Sequence, residues 1–293
     1  MQPVLGIGDD AALVQIAAGK QLVVAADTLV EGRHFPRDAD PAQIASRAIR
    51  VNLSDMAAMG AEPLHYTLCL TLPDSDQDWL ESFAAALRQD SELFKCSLIG
   101  GDTTRGELCI SLQMLGVVET GAALKRSAAS IGEAVWVTGN LGDAAAFIDS
   151  KFTGNADLAN RFWRPQPRID FALAAHSLIG ACIDISDGLV ADLGHICSAS
   201  GVAATLQTDR LPLSQQLIEF APDSARQLAL TGGDDYELCF TSSAESETQL
   251  RAIATEQNIQ LTRIGSISSG SGVNCLDENG SVLNFERSGY SHF

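Results

Sequence analysis

Aspartate recurs beside glycine, or at the end of a strand-forming stretch, at five places: Gly8-Asp9-Asp10, Asp27-Thr28, Gly101-Asp102, Asp184-Ile-Ser-Asp187-Gly188 and Gly233-Asp234-Asp235. Asp55 makes a sixth, within a predicted helix. In α/β sheets ligands bind beyond the carboxyl ends of the strands, where most of these loops are expected to fall. The pattern predicts a chain of mixed strands and helices whose acidic loops serve one pocket. Any one of these aspartates alone reads as turn or cap chemistry. Asp55 resists that reading, because a buried carboxylate without a partner costs several kcal/mol.

The positions of the motifs follow from local patterns. Asp40-Pro41 reads as an N-cap and first helical position, and Ile44, Ala48, Val51 and Asp55 recur at helical spacing. Tyr66–Leu72 reads as a strand and Trp79–Leu87 as an amphipathic helix. Ser97–Ile99 is expected to be a strand running into Gly100-Gly101-Asp102, and Leu108–Val118 a further strand. The stretch 119–122 is the best boundary between two halves. Beyond it, Val135–Thr138 reads as a strand, Asp143–Phe147 as helical, and Pro167 as the start of a helix ended by Gly180. Ala181–Ile185 reads as a buried strand, Ser186 as an N-cap, and Leu189–Ala199 as a helix stopped by Gly201. Gln227–Thr231 leads through Gly232-Gly-Asp-Asp-Tyr-Glu-Leu238 to the strand Cys239–Thr241, and Asn279-Gly280 marks a hairpin.

Convergent carboxylates repel one another unless cations sit between them. Hard, oxygen-seeking Mg²⁺ is the natural cation, since it binds a few carboxylates together with substrate phosphates. The chemistry expected is therefore phosphoryl transfer. Zinc is disfavoured, because the five histidines show no ligand-like spacing with one another or with cysteine. A formal charge of -18 disfavours nucleic acid and anionic membranes as partners. No apolar run approaches the ~20 residues of a membrane span. With no basic and apolar leader at Met1, a cytoplasmic location is expected, and the seven scattered cysteines read as reduced packing residues.

Two nucleotide motifs fail. Gly6-Ile-Gly8-Asp-Asp-Ala11 fits G-x-G-x-x-A, yet only five residues precede it, and Asp9 and Asp10 would face a pyrophosphate without an intervening metal. No Walker A pattern occurs.

Taken in order, Gly6-Ile-Gly-Asp-Asp-Ala11, Asp27-Thr-Leu-Val30 with His34-Phe35, Asn52-Leu-Ser-Asp-Met-Ala-Ala-Met-Gly-Ala61, Gly100-Gly-Asp-Thr-Thr-Arg105, Asp184-Ile-Ser-Asp-Gly-Leu189, Gly232-Gly-Asp-Asp-Tyr-Glu-Leu238 and Gly289-Tyr-Ser-His-Phe293 resemble the thiamine-monophosphate kinase family. The match runs from residue 4 to the C-terminus. The resemblance implies an α/β (α+β) chain with the two-domain aminoimidazole ribonucleotide synthetase-like fold, in which mixed sheets pack with helices. Residues 1–121 would be the metal- and ATP-binding and dimerisation domain, and residues 122–293 a C-terminal α/β domain completing the active site. It further implies a homodimer paired through the N-terminal domains, and transfer of the γ-phosphoryl of ATP to thiamine monophosphate with several Mg²⁺ ions. On the same resemblance Asp10, Ala26 (through its carbonyl), Asp27, Asp55, Asp102, Asp184 and Asp187 are metal ligands, with Asp55, Asp102 and Asp187 at the catalytic centre. Gly101, Asp102, Arg126 and Ser186 would contact ATP, and His34, Asp234 and Tyr290 the acceptor. Read without the family, Arg126 pairs with a surface acid, His34 caps a loop and Tyr290 closes the core.

The acceptor implied is a phosphate monoester, largely dianionic near neutral pH, so no general base is needed. Charge repulsion between two anions is the obstacle, which accounts for many aspartates and no His-Ser pair. The acceptor's cationic ring suits an aromatic face such as Tyr290 with an acid such as Asp234.

Three features depart from the family pattern. Family members carry some two dozen further residues, with a helix, before the glycine-aspartate motif. Ala25-Ala26 replace the usual Ser/Thr residues, so only a backbone carbonyl remains as a ligand there. Asp234 stands where glutamate is common and reaches about one methylene less far. The alternatives are a relative acting on another acceptor and a degenerate ATP-binding scaffold. Selenophosphate synthetase is disfavoured by the missing reactive cysteine near the N-terminus, and the hydrogenase-maturation relative by His292-Phe293 at the C-terminus.

Overall fold

The structure, a computed structural model, describes residues 3–8, 10–283, 285 and 288–290. Asp9 and the Ser291–Phe293 portion of the C-terminal motif lie outside the described residues. The chain divides into two compact units, one of residues 1–56 and 61–123, the other of residues 57–60 and 124–293.

In the first unit the order is β1 (Lys20–Val30), α1 (Pro41–Ala58), β2 (Glu62–Leu72), α2 (Gln77–Leu93), β3 (Ser97–Arg105) and β4 (Cys109–Glu119). These strands form a sheet in the order β1-β4-β2-β3, with β2 parallel to β3 and the other pairs antiparallel. A parallel pair needs a crossover, which α2 supplies. Helix α1 begins where its cap predicts: Asp40 Oδ1 accepts the amides of Ala42 and Gln43, at 2.8 and 3.2 Å, with Pro41 between. From Ile44 to Ala58 every residue of α1 is buried except Asp55, which is partly exposed. Arg50 survives this burial by forking onto Asp90 of α2, Nη2 to Oδ1 at 2.7 Å and Nε to Oδ2 at 3.1 Å. Strand β1 has no period-2 signature, since Leu22–Ala26 is a continuous apolar run. Strand β3 continues through Gly100-Gly101-Asp102 as far as Arg105, so Asp102 lies inside a strand and not in the loop after one.

The second unit runs β5 (Ala134–Thr138), α3 (Asp143–Asp149), α4 (Ala156–Trp163), α5 (Ile169–Ala175), β6 (Cys182–Asp184), α6 (Leu189–Ser200), β7 (Ala203–Gln207), α7 (Gln215–Phe220), α8 (Ala225–Thr231), β8 (Leu238–Ser242), α9 (Glu247–Glu256), β9 (Leu261–Ser268), β10 (Gly272–Leu276) and β11 (Val282–Leu283). Its sheet has the order β11-β10-β7-β9-β5-β8-β6, antiparallel except for β7 with β10. Val135, Val137, Ile183, Cys239 and Ile264 of the sheet share a core with Leu189, Leu193 and Ile196 of α6. Each such side chain, fully buried, is worth roughly 1.5–3 kcal/mol. Five of the seven cysteines are buried, whereas Cys69 is exposed. The hairpin at Asn279-Gly280 forms as expected, with Asp277 Oδ1 accepting the amides of Asn279 and Ser281.

Two helix starts differ from expectation. Helix α5 begins at Ile169, not Pro167, because the Arg168 side chain is drawn to Glu237 and its backbone stands outside the helix. Ser186 does not cap α6: the residue before that helix is Gly188, at φ 130°, and an acid inside the first turn takes over the capping.

Candidate functional site

In the second unit β6 ends on buried Asp184, paired opposite Leu238 of β8. The chain then bends through Ser186-Asp187-Gly188 into α6, and the three amides of this bend have no helical partner. All three converge on Asp192 Oδ2, at 3.0 Å from Ser186, 3.1 Å from Asp187 and 3.0 Å from Gly188. Burial, then the nearby charge of Asp184, pushes the Asp192 carboxyl up to about 7 against the lowering effect of those amides. Asp187, Asp192 and His195 present potential ligand atoms within 4.8 Å of one another.

The carbonyls of the same bend are taken by two other segments. Ile185 O accepts from Tyr236 N at 2.8 Å, Ser186 O from Asp234 N at 2.9 Å, and Asp187 O from Tyr290 N at 2.9 Å. Asp184, Ser186, Asp187, Asp234 and Tyr290 are thereby brought together within one unit. Gly233, at φ +72°, is required there: a Cβ would lie 2.5 Å from Ser186 O. Asp234 and Tyr236 follow with φ of 63° and 50°, uncommon for residues with side chains and a mark of a loop fixed by its surroundings.

What fixes it is Glu237, fully buried and missed in the sequence. Its carboxylate accepts from Thr138 Oγ1 at 2.6 Å, Arg161 Nη2 at 2.5 Å, and Arg168 Nε and Nη2, each at 2.6 Å. Burial alone would raise its pKa, but the Arg168 and Arg161 guanidiniums hold the carboxyl below its ordinary value. Asp235 next to it is also buried; burial pushes it well up, and its Oδ1 accepts the Gly142 amide at 2.8 Å. No sequence signal pairs Glu237 with arginines so far away in the chain, but an acid among strand residues invites the question of its partner. Tyr290 is 44% exposed and does not close the core. Arg126 is exposed on a short 3-10 turn whose carbonyl accepts from Ser200 Oγ at 2.8 Å.

In the first unit Asp27 lies inside β1, its amide donating 3.1 Å to Asn52 Oδ1 of α1, one turn before Asp55. Burial raises the Asp27 carboxyl while Arg47 partly lowers it. Ala26 and Asp10 are exposed. Gly101 and Asp102 sit in β3 opposite Leu68 and Cys69. Gly101, at φ +151°, admits no side chain, because a Cβ would come 1.8 Å from Leu68 O. His34 does cap a loop, its Nδ1 accepting the Val30 amide at 2.9 Å. Asp27 and Asp102 occupy the two opposite edge strands of the sheet, which one chain's sheet does not bring side by side. Oxygen donors dominate both sets, as a hard divalent cation requires.

Residues 8–118 match the family of AIR synthase related protein, N-terminal domain, and residues 130–277 that of AIR synthase related protein, C-terminal domain. Thiamine-monophosphate kinase of Salmonella typhimurium is 43% identical over 298 residues, spanning 98% of this chain and 91% of that protein. The crystal structure of thiamine-monophosphate kinase from Stenotrophomonas maltophilia is 44% identical, with a TM-score of 0.90 over 96% of this chain and 92% of that one. AaThiL complexed with AMPPCP and TMP is 32% identical, with a TM-score of 0.84 over 98% and 92% of the two chains.

Proposed function

The chain belongs to the thiamine-monophosphate kinase family, and we propose that it transfers the γ-phosphoryl group of ATP to thiamine monophosphate, giving thiamine diphosphate and ADP. The observation that carries this reading is the near full-length relationship at 43% identity, together with the triphosphate analogue and TMP bound by a relative of the same fold.

Asp10, Asp27, Asp55, Asp102, Asp184, Asp187 and the Ala26 carbonyl are proposed as ligands for several Mg²⁺ ions, with Asp55, Asp102 and Asp187 nearest the reacting phosphates. When bound, Mg²⁺ neutralises the phosphate oxygens so that two anions can meet. Gly101, which lets β3 pass close to Leu68, is proposed to contact ATP through its backbone, and Ser186 offers a hydroxyl beside the proposed ligand Asp187. Arg126 supplies an exposed cation for the triphosphate. Asp234 and the half-exposed Tyr290 ring suit a cationic, aromatic acceptor, with His34 beside them in role. Both Asp234 and Tyr290 reach their places through backbone bonds to the Ser186-Asp187 bend, so acceptor contacts and proposed metal ligands are set by the same few hydrogen bonds.

In this reading residues 1–121 act as the metal- and ATP-binding and dimerisation domain, and residues 122–293 complete the active site. Edge strand β1 exposes Leu22, Val24 and Val30, at 45%, 49% and 37%, and among the described residues no strand pairs with its outer side. Edges of this kind seek a partner, and a homodimer through this domain would cover it. A dimer that aligns β1 of one protomer with β3 of its partner would also set Asp27 beside Asp102 of the partner subunit. No described helix is long and apolar enough to cross a membrane; a cytoplasmic location is part of the same proposal.

Coupled ADP release with ATP and Mg²⁺ tests the reading. Release that depends on thiamine monophosphate is expected; release indifferent to it would point to another acceptor, and ATP binding without turnover to a scaffold.

A further inference from the structure

Between β6 and α6 the chain must aim two neighbouring acids while leaving three amides outside any helix or sheet. One side chain answers all three. Asp192 Oδ2 accepts from Ser186, Asp187 and Gly188, at 3.0, 3.1 and 3.0 Å, from within the first turn of α6. Asp192 is buried, with 2% of its surface exposed, and α6 itself is anchored in the core by Leu189, Leu193 and Ile196. The carbonyl side of the bend is closed by Tyr236, Asp234 and Tyr290 amides. With its amides held by an acceptor on α6 and its carbonyls held by donors on the 234–236 and 290 segments, the bend is fixed from both sides, and with it the direction in which the Asp187 side chain leaves.

We infer that Asp192 is a positioning residue, which aims Asp187 and the end of the Asp184 strand by gathering three backbone amides onto a single oxygen. This rests on the reading of Asp184 and Asp187 as metal ligands. It differs from a direct ligand role for Asp192, which the closeness of Asp187, Asp192 and His195 also invites. Three N–H donors on Oδ2 exceed the two lone pairs of one carboxylate oxygen, so that oxygen has none to spare for a cation. A neutral carbonyl oxygen can accept the same amides. The carboxylate's charge is therefore dispensable for positioning, whereas a direct ligand would lose much of its hold on the cation without it, and Asp192→Asn separates the two.

The test compares wild type, Asp192→Asn and Asp192→Ala by hydrogen exchange of the 184–190 stretch in the ligand-free protein, and by titration with Mn²⁺ in the presence of AMPPCP. In Asp192→Ala the three amides should exchange about a hundredfold faster while β8 keeps its protection, and Mn²⁺ affinity should fall about tenfold or more. Asp192→Asn should keep exchange and Mn²⁺ affinity within about threefold of wild type. Turnover should follow the same split, with the Mg²⁺ needed for half-maximal rate rising more than kcat falls in Asp192→Ala. Unchanged exchange of the bend in Asp192→Ala would overturn the inference. So would an Asp192→Asn protein that loses Mn²⁺ affinity as fully as Asp192→Ala. Should Asp192→Ala fail to fold, Asp192→Asn alone decides in the same way. A wild-type protein that binds no Mn²⁺ would sink the reading of the site and leave the exchange result to judge Asp192.

Discussion

Arg168 and Glu237 meet as two forks, Nε to Oε2 and Nη2 to Oε1, both at 2.6 Å, with the carboxylate wholly withdrawn from water. Arg161 completes the pocket at 2.5 Å, so one buried anion is balanced by two guanidiniums. Immediately before Glu237 lie Asp234 and Tyr236 in left-handed conformations, and the ion cluster is the anchor against which that loop is held. Removing the charge while keeping the shape leaves Arg168 facing a neutral amide and Arg161 with only the longer ionic contact to Asp143, at 3.9 Å: Glu237→Gln should cost about 3–5 kcal/mol of stability, read by urea denaturation. A loss under about 1 kcal/mol would mean that the cluster contributes little.

The same group sets an acid limit. Its folded pKa lies below the unfolded value of 4.5, because the guanidiniums overcome the raising effect of burial. Stability from a lowered carboxyl is present above the unfolded pKa and lost as pH falls through the folded one. The stability difference between wild type and Glu237→Gln should hold from pH 7 to 5 and shrink below 4.5. A difference that stays constant to pH 3, or widens there, would contradict this assignment.

Asp55 is the one partly exposed residue in the otherwise buried stretch Ile44–Ala58 of α1, one turn from the Asn52 that grips the Asp27 backbone. Proposed as a bridging ligand, it should lose turnover by about a hundredfold or more as Asp55→Asn, with folding intact by circular dichroism. Near-normal turnover at saturating Mg²⁺ would remove Asp55 from the site.

Opposite edge strands carry Asp27 and Asp102. If two copies share their sites, Asp27→Asn and Asp102→Asn should each be inactive alone, yet regain about a quarter of wild-type activity when unfolded and refolded together, since half the dimers keep one intact site. No recovery, from variants shown to form mixed dimers, would place both aspartates in a site built by one chain.

Much of the scaffold was legible because its signals are local. Asp40-Pro41 starts α1, Gly201 ends α6, and Asn279-Gly280 turns a hairpin, each through bonds among near neighbours. The fold and family followed from motifs in order. What stayed hidden depends on contacts distant in sequence or on unusual geometry. Glu237 meets arginines 76 and 69 residues away. Ser186 looks like a cap until Gly188 is seen to leave the helix axis open and Asp192 to fill it from inside. Strand β3 runs on past Gly100-Gly101, where the sequence reading ended it, because Gly101 lets the chain pass Leu68 too closely for any side chain.

The most direct test of the central claim follows the transferred group itself. Incubation with γ-labelled ATP, Mg²⁺ and thiamine monophosphate should place the label in thiamine diphosphate, in equal amount to the ADP formed. Label recovered only as free phosphate, with no thiamine diphosphate, would contradict the account.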